Sequence, residues 1–399
     1  VETGAHTRQF AEGVDFMVVS PGVPDSCPVL GWARESLTPV ISEIELASRF
    51  MDVPVIAVTG TNGKTTTTSL IAHILNENGI KAAACGNIGT PLSAIVVENR
   101  DIAYAVCEVS SFQLERIVAF KPFISVFLNL TPDHLDRYPS MKEYLDAKLC
   151  IFDNQGPREW AVVNYQYREL VSGIVERKKI SGIYFNTVSE PLVNLFARDG
   201  VLYLNLHNRE EAVCRRDEVR LFGEHNLENI FSGIAAGVIC GVPLPGIASA
   251  LRSFQAVPHR LEYVDAVAGV AFVNDSKGTN VDSVTVALKS FAGGIILIAG
   301  GRDKGGDFRP LRDLVAARVK AVIVIGEAAD KIAEHLAGAA PVARAATLDE
   351  AVACGLRDGA AGDTVLLSPG CASFDMFRNY EHRGDEFRRI VRELKANNG

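Results

Sequence analysis

The sequence has no Cys-x-x-Cys pair, no basic-then-apolar segment at its start, and no apolar run near the roughly 20 residues a membrane-spanning helix needs. Each absence closes a class. Eight cysteines, at 27, 85, 107, 150, 214, 240, 354 and 371, are scattered, several inside apolar patterns, so they read as reduced core thiols. The lack of a span or leader leads us to expect a soluble, cytoplasmic chain without membrane insertion. A basic stripe is missing too, since clusters such as Arg215-Arg216 and Arg388-Arg389 are short and interrupted, and the formal net charge is −8. Nucleic acid and anionic membranes are not attracted to such a surface. There are no internal repeats or low-complexity tracts. The chain opens on Val1 rather than on a methionine, as expected of a fragment or a processed chain.

What the chain has is apolar content, 48% of 399 residues, enough for a sizeable core and two or three domains. Short β-branched runs at 53–59, 102–107, 123–129, 161–164, 295–299, 321–325 and 364–367 alternate with longer helical patterns. This alternation predicts an α/β fold with parallel sheets covered by helices. Between Gly182 and Leu221 the YF, VLYLNL and VRLF segments suggest a small antiparallel excursion. Boundaries near Ile44 and Pro258 give three units, 1–43, 44–257 and 258–399. The first, with about one strand at 16–19, is too small for a complete α/β layer.

The strand VPVIAVT runs into GTNGKTTTTSLIAHIL, whose Leu70, Ile71, Ile74 and Leu75 recur at helical spacing until Gly79. Strand, glycine-rich turn and helix make a phosphate site. Backbone N–H groups from Gly60 through Thr61, Asn62 and Gly63 to Lys64 can wrap phosphate oxygens at the positive end of the helix. Lys64 can reach the terminal phosphates, and Thr65 can ligate Mg2+. The spacing departs from the general GxxxxGK[ST] pattern, because Val58 occupies the place of the first glycine.

A metal held by one threonine needs further ligands, and ligands gather at the carboxyl ends of strands in open α/β sheets. Glu108 ends one strand there, and Asp133 and His134 follow the next. Each has a plainer reading, Glu108 as a helix N-terminal charge and His134 as a turn residue. By pattern alone Lys148, in EYLDAKLCIF, reads as a surface lysine of a helix, and Asn226, three before Asn229 in GEHNLEN, as a helix cap.

Taken together, TGTNGKTT, GNIGTP, EVSSFQLE, LNLTPDHLDRY, YLDAK, GEHNLEN, PHRLE, NDSKGTN and SPGCASFDMFRNYEHRGDEF resemble the muramyl ligase family over essentially the whole chain. SSFQL, DSKxTN and the CASFDxF tail are similar to its D-glutamate-adding branch. The resemblance implies a P-loop central domain with a parallel sheet, a Rossmann-like amino-acid-binding C-terminal domain, and a partial N-terminal α/β domain. The implied reaction adds D-glutamate to UDP-N-acetylmuramoyl-L-alanine through an acyl phosphate, giving ADP and phosphate in peptidoglycan synthesis. ATP is the nucleotide, two Mg2+ sites are implied, at which Mn2+ can substitute, and the partners are these small molecules, with the protein a monomer.

Residue by residue, the resemblance assigns Gly60, Thr61, Asn62, Gly63, Lys64, Thr65 and Thr66 to ATP phosphates. Thr65, Glu108, His134 and a carbamylated Lys148 become metal ligands. Asn226 and Asn229 lie near the adenine, with Arg260 and Asp275 on the nucleotide from the C-terminal domain, so that ATP and D-glutamate are expected to meet across a cleft. Asn87 and Ser110 stand beside the muramoyl substrate, as does the Ser20-Pro21-Gly22 turn of a first domain of which only the last part is present. Lys277, Thr279, Lys304, Ser373 and Phe374 match positions that hold D-glutamate, whose two carboxylates suit lysines and hydroxyls. On its own pattern Lys304, in the glycine-rich turn AGGRDKGGDF, reads equally as a second phosphate loop or a plain turn, and nearby Arg302 could reinforce or obstruct the pocket. A related ligase such as folylpolyglutamate synthase, or a nucleotide-dependent switch, are the competing readings. The want of a DxxG element after the second strand counts against the switch.

Overall fold

A computed structural model of the chain describes residues 2–3, 5–131, 137–221, 225–255, 258–303 and 305–398, the side chains of His225, Asn397 and Asn398 excepted. Its backbone packs as two compact units, Val1–Val219 with Asn226–Phe254, and Arg220–His225 with Gln255–Gly399. His134 and Lys304, both expected at the site, lie outside the described residues, as does Asp133.

Near its start the first unit pairs two short parallel strands, β1 (Met17–Val19) and β2 (Val40–Ser42). The pattern offered only one strand here, at 16–19. A nine-stranded sheet follows, built from β3 (Val55–Thr59), β4 (Ala82–Gly86), β5 (Tyr104–Glu108), β6 (Ile124–Phe127), β7 (Trp160–Asn164), β8 (Ser181–Phe185), β9 (Leu195–Arg198), β10 (Val201–Leu206) and β11 (Arg209–Arg215). Its order is β11-β10-β9-β8-β7-β6-β3-β5-β4. From β4 to β9 neighbours run parallel, and β9, β10 and β11 form antiparallel hairpins. Every residue of the central strands β3 and β6 is buried, as a sheet covered on both faces requires.

The antiparallel excursion therefore exists, but as the end of the main sheet. It also ends earlier than expected: Val219–Leu221 of VRLF forms no strand, and the last strand is REEAVCR. That strand lies at the sheet's edge, where charged side chains discourage pairing with another chain. Alanine-rich β4 escaped notice because AAACG lacks the branched and aromatic residues that mark a strand.

The second unit carries β12 (Glu262–Val267), β13 (Val270–Asn274), β14 (Ile295–Gly300), β15 (Val319–Ile325), β16 (Val342–Arg344) and β17 (Thr364–Leu367), in the order β12-β13-β17-β14-β15-β16. Only the β12–β13 hairpin is antiparallel. Its turn residues Ala268 and Gly269 both have positive φ, the twist-matched form of a two-residue turn. Apolar clusters cover both faces of this sheet, one around Leu297, Val322 and Leu366 and the other around Ile298, Ile323 and Val365. The strand order brings the loops leaving β13, β17 and β14 side by side. The α/β class with predominantly parallel sheets holds in both units, and no helix among the described residues is long and apolar enough to cross a membrane.

Candidate functional site

In the first unit, β3 delivers the chain into a tight loop at Gly60–Gly63, and the helix Lys64–Glu77 begins directly after it. Two glycines make the loop possible. Gly63 has φ +84, and a Cβ there would stand 2.3 Å from Asn229 Oδ1; Gly60 has φ +151, and its Cβ would meet Leu128 Cβ at 2.9 Å. No other residue takes these conformations without strain. The Lys64 ammonium folds back over the loop and donates to the carbonyls of Gly60 at 2.9 Å and Thr61 at 2.8 Å.

Lys148 is where the pattern-based reading fails. It is 1% exposed rather than on a helix surface, and its Nζ donates to the same Gly60 carbonyl at 2.9 Å while lying 4.5 Å from the Tyr144 ring centroid. The helix Met141–Leu149 thus turns its last basic residue inward, and two ammonium groups converge on one loop carbonyl. A buried cation is stable only where oxygen atoms replace its water.

Thr65 donates from Oγ1 to Glu108 Oε2 at 2.8 Å, and Asn87 donates from Nδ2 to Glu108 Oε1 at 3.1 Å. Glu108 is the last residue of β5 and faces the loop instead of serving a helix terminus; that task belongs to Ser110, whose side chain caps Ser111–Leu114 in a reciprocal pair with Gln113. Asn226 lies within the first turn of His225–Ile239, where its Oδ1 accepts from Asn229 Nδ2 at 2.6 Å, and Asn229 Oδ1 accepts from Thr67 Oγ1 at 2.9 Å. The structure therefore gathers Lys64, Thr65, Glu108, Lys148, Asn87, Asn226 and Asn229 around one loop. Among the described residues no group of three or more His, Cys, Asp or Glu side chains could hold a metal, so a cation here would need the hydroxyl, the lysine or residues beyond them.

The Ser20-Pro21-Gly22 turn belongs to the same unit. The Pro21 carbonyl accepts from Arg137 Nη1 at 3.5 Å, and the Arg137 guanidinium lies 4.0 Å from the centroid of Phe112, on the helix that Ser110 caps.

In the second unit the loop after β13 carries Asp275, Lys277 and Thr279. The Asp275 carboxyl is buried, accepting from Ser368 Oγ at 2.7 Å and the Leu261 N–H at 3.3 Å. Burial pushes it up to about 7, against those two bonds and the charges of Arg260 and Arg383. The Lys277 ammonium is 5.6 Å from the Tyr380 ring centroid, Ser373 is buried, and Phe374 is 59% exposed. Arg302 pairs with Glu327 at 2.9 Å and its backbone bridges to Ala372, so its guanidinium is engaged with that carboxylate.

Sequence reading missed the residue that ties these loops together. Arg383, 1% exposed, donates to the carbonyls of Ser276 at 2.8 Å, Cys371 at 3.1 Å and Gly300 at 3.5 Å, the first two on the loops after β13 and β17 and the third at the end of β14. Burial lowers its pKa to about 10. Nothing in a helix rich in charge marks one arginine as the buried one. Asn129, which accepts from the Thr61 N–H at 3.1 Å and the Asn62 N–H at 2.8 Å, was also missed. Its position just past β6, at the carboxyl end of the sheet, was the available signal.

Comparison with known proteins matches residues 58–237 to the Mur ligase middle domain and residues 259–371 to the Mur ligase glutamate ligase domain. A UDP-N-acetylmuramoylalanine–D-glutamate ligase from Geotalea uraniireducens is 44% identical over 98% of this chain and 86% of its own length. One of the same name from Thermoanaerobacter pseudethanolicus is 41% identical over 98% of this chain and 87% of its own. Among solved structures, a UDP-N-acetylmuramoyl-L-alanyl-D-glutamate–2,6-diaminopimelate ligase superposes with a TM-score of 0.65 at 17% identity, covering 98% of this chain and 99% of the other. A MurF ligase from Thermotoga maritima in complex with ADP gives 0.62 at 15% identity, covering 96% and 99%. At such identities the superpositions speak for the fold alone.

Proposed function

The chain belongs to the Mur ligase family, and from that premise we infer its reaction. It is an ATP-dependent ligase that joins D-glutamate to UDP-N-acetylmuramoyl-L-alanine in peptidoglycan synthesis, releasing ADP and phosphate. The observation that carries this reading is 44% identity across 98% of the chain to a relative named for that activity. Residues 1–43 bear on the acceptor, 44–257 hold ATP, and 258–399 hold the amino acid.

An oxygen of the acceptor's alanyl carboxylate attacks the γ-phosphorus and ADP leaves, forming an acyl phosphate. The D-glutamate amine then attacks the acyl carbon, loses a proton and expels phosphate. Backbone N–H groups of Gly60 to Thr66 hold the phosphates at the start of the helix Lys64–Glu77. Lys64 exchanges its two loop carbonyls for the terminal phosphates and offsets the charge on the transferring group. Asn226 and Asn229 bear on the adenine, and Ser20, Pro21, Gly22, Asn87 and Ser110 on the acceptor. Lys277, Thr279, Lys304, Ser373 and Phe374 receive D-glutamate, with the lysines and hydroxyls taking its carboxylates.

The donors meeting at Thr65 Oγ1 and Glu108 are hard oxygens, which fit Mg2+. Thr65, Glu108, His134 and Lys148 would hold it at two sites, Lys148 after its amine adds carbon dioxide and loses a proton to become a carbamate. When bound, the metal neutralises phosphate charge against an attacking anion.

The test is phosphate release with ATP, Mg2+ and UDP-N-acetylmuramoyl-L-alanine, varying the amino acid. Release that requires D-glutamate is expected. Release indifferent to the amino acid, or supported better by L-glutamate with a folate acceptor, would overturn the reading.

A further inference from the structure

Between Asn226 and Asn229 stands Glu228, to which neither the motif nor the reaction assigns a task. Among the described residues each of its carboxylate oxygens accepts one hydrogen bond. Oε1 accepts from Asn164 Nδ2 at 3.0 Å, and Oε2 accepts from Asn129 Nδ2 at 3.1 Å. Asn164 ends β7 and Asn129 lies just past β6, so the helix His225–Ile239 reaches across two neighbouring strand ends.

The far ends of both amides are committed. Asn164 Oδ1 accepts from the Gln166 N–H at 3.1 Å. Asn129 Oδ1 accepts from the Thr61 and Asn62 N–H groups of the phosphate loop, while its Nδ2 also donates to the Asn62 carbonyl at 3.3 Å. An amide has one accepting and one donating end, so neither asparagine can turn over without setting donor against donor. Only a group that accepts on both sides satisfies the pair, and an ionised carboxylate is that group. Burial raises the Glu228 pKa, while the two amide bonds pull it back down.

We propose that Glu228 is a positioning residue for nucleotide binding: by fixing the orientation of Asn129 it holds the Thr61–Asn62 stretch of the phosphate loop in its binding form. The same helix turn also holds the helix that leaves the loop, where Thr67 donates to Asn229. The inference rests on the loop binding ATP and is independent of which amino acid the enzyme adds.

A near-isosteric change separates this role from bulk or packing. In Glu228→Gln the new amide must face one asparagine NH2 with its own, so one amide turns or one donor goes unpaired. Losing one such bond weakens binding by about tenfold. In the double variant Glu228→Gln/Asn164→Asp, the introduced amide donates to the introduced carboxylate and accepts from Asn129, and the orientation of Asn129 is restored. Asn164→Asp alone sets two carboxylates against each other and is expected to bind ATP weakly as well.

Calorimetric titration of the four proteins with ATP gives the dissociation constants directly, with no ligase turnover needed. The expected result is about tenfold weaker binding in each single variant and recovery to within about threefold of the parent in the double. At saturating ATP the KM for D-glutamate should be unmoved. If Glu228→Gln does not fold, the comparison of Asn164→Asp with the double variant carries the test alone. Parent-like ATP affinity in the single variants, or a double variant no tighter than they are, would overturn the proposal.

Discussion

Asp275→Asn should stabilise the second unit at alkaline pH and lose that advantage in acid. The carboxyl is buried and its pKa stands at about 7 in the fold, against 3.8 for the ordinary group. Because the folded value is the higher one, the native state holds the proton more tightly. The full stability is present below the unfolded value, drains away as pH rises through the interval, and is gone above the folded value. A shift of about three pH units corresponds to about 4 kcal/mol. Asparagine keeps the Leu261 N–H as donor but asks Ser368 to accept, leaving that hydroxyl proton to find another partner, a loss of about 1 kcal/mol. The net gain of about 3 kcal/mol at pH 8 corresponds to roughly 6–12 °C in the unit's unfolding temperature. Differential scanning calorimetry of both proteins across the pH range measures it, since other titrations cancel in the difference. The gap should close and reverse slightly near pH 4. A gap that ignores pH, or a variant less stable at pH 8, would refute the reasoning. A carboxylate kept at such a cost is one that folding alone would discard.

Two further substitutions probe the phosphate loop. Lys148→Ala should lower ligase turnover by about 100-fold and abolish the carbamate signal in spectra taken with isotope-labelled bicarbonate; unchanged turnover would remove the carbamate from the account. Gly63→Ala, with φ +84 and a Cβ 2.3 Å from Asn229 Oδ1, should cost more stability in thermal unfolding than Gly79→Ala, with φ +77 and open space. The second change carries only left-handed strain of about 1–2 kcal/mol, and equal costs would show that Asn229 yields freely.

The parts of this molecule that could be read from its sequence are those with a period or a local rule. Strand Thr364–Leu367 was predicted to the residue, and β3 to within two, because buried parallel strands are unbroken β-branched runs. The phosphate loop and the helix stop at Gly79 follow rules of backbone conformation within a few residues. Glu108 was legible from where its strand ends. The residues that escaped act at long range. Lys148 looked like any helical lysine, since nothing local tells which face of a mostly polar helix turns inward. Arg383 is separated by over 80 residues from the Gly300 carbonyl it binds, and Glu228 from Asn129 by 99. Their roles arise only once strand order has put distant loops next to one another.

The central claim is that ATP activates the acceptor's own carboxylate before D-glutamate arrives. It is tested most directly by supplying UDP-N-acetylmuramoyl-L-alanine with heavy oxygen in its terminal carboxylate, together with ATP, Mg2+ and D-glutamate, and weighing the released phosphate. The account predicts one heavy oxygen transferred to phosphate for each amide formed, because the oxygen that attacks phosphorus departs with it. Phosphate carrying no heavy oxygen while amide accumulates would contradict it.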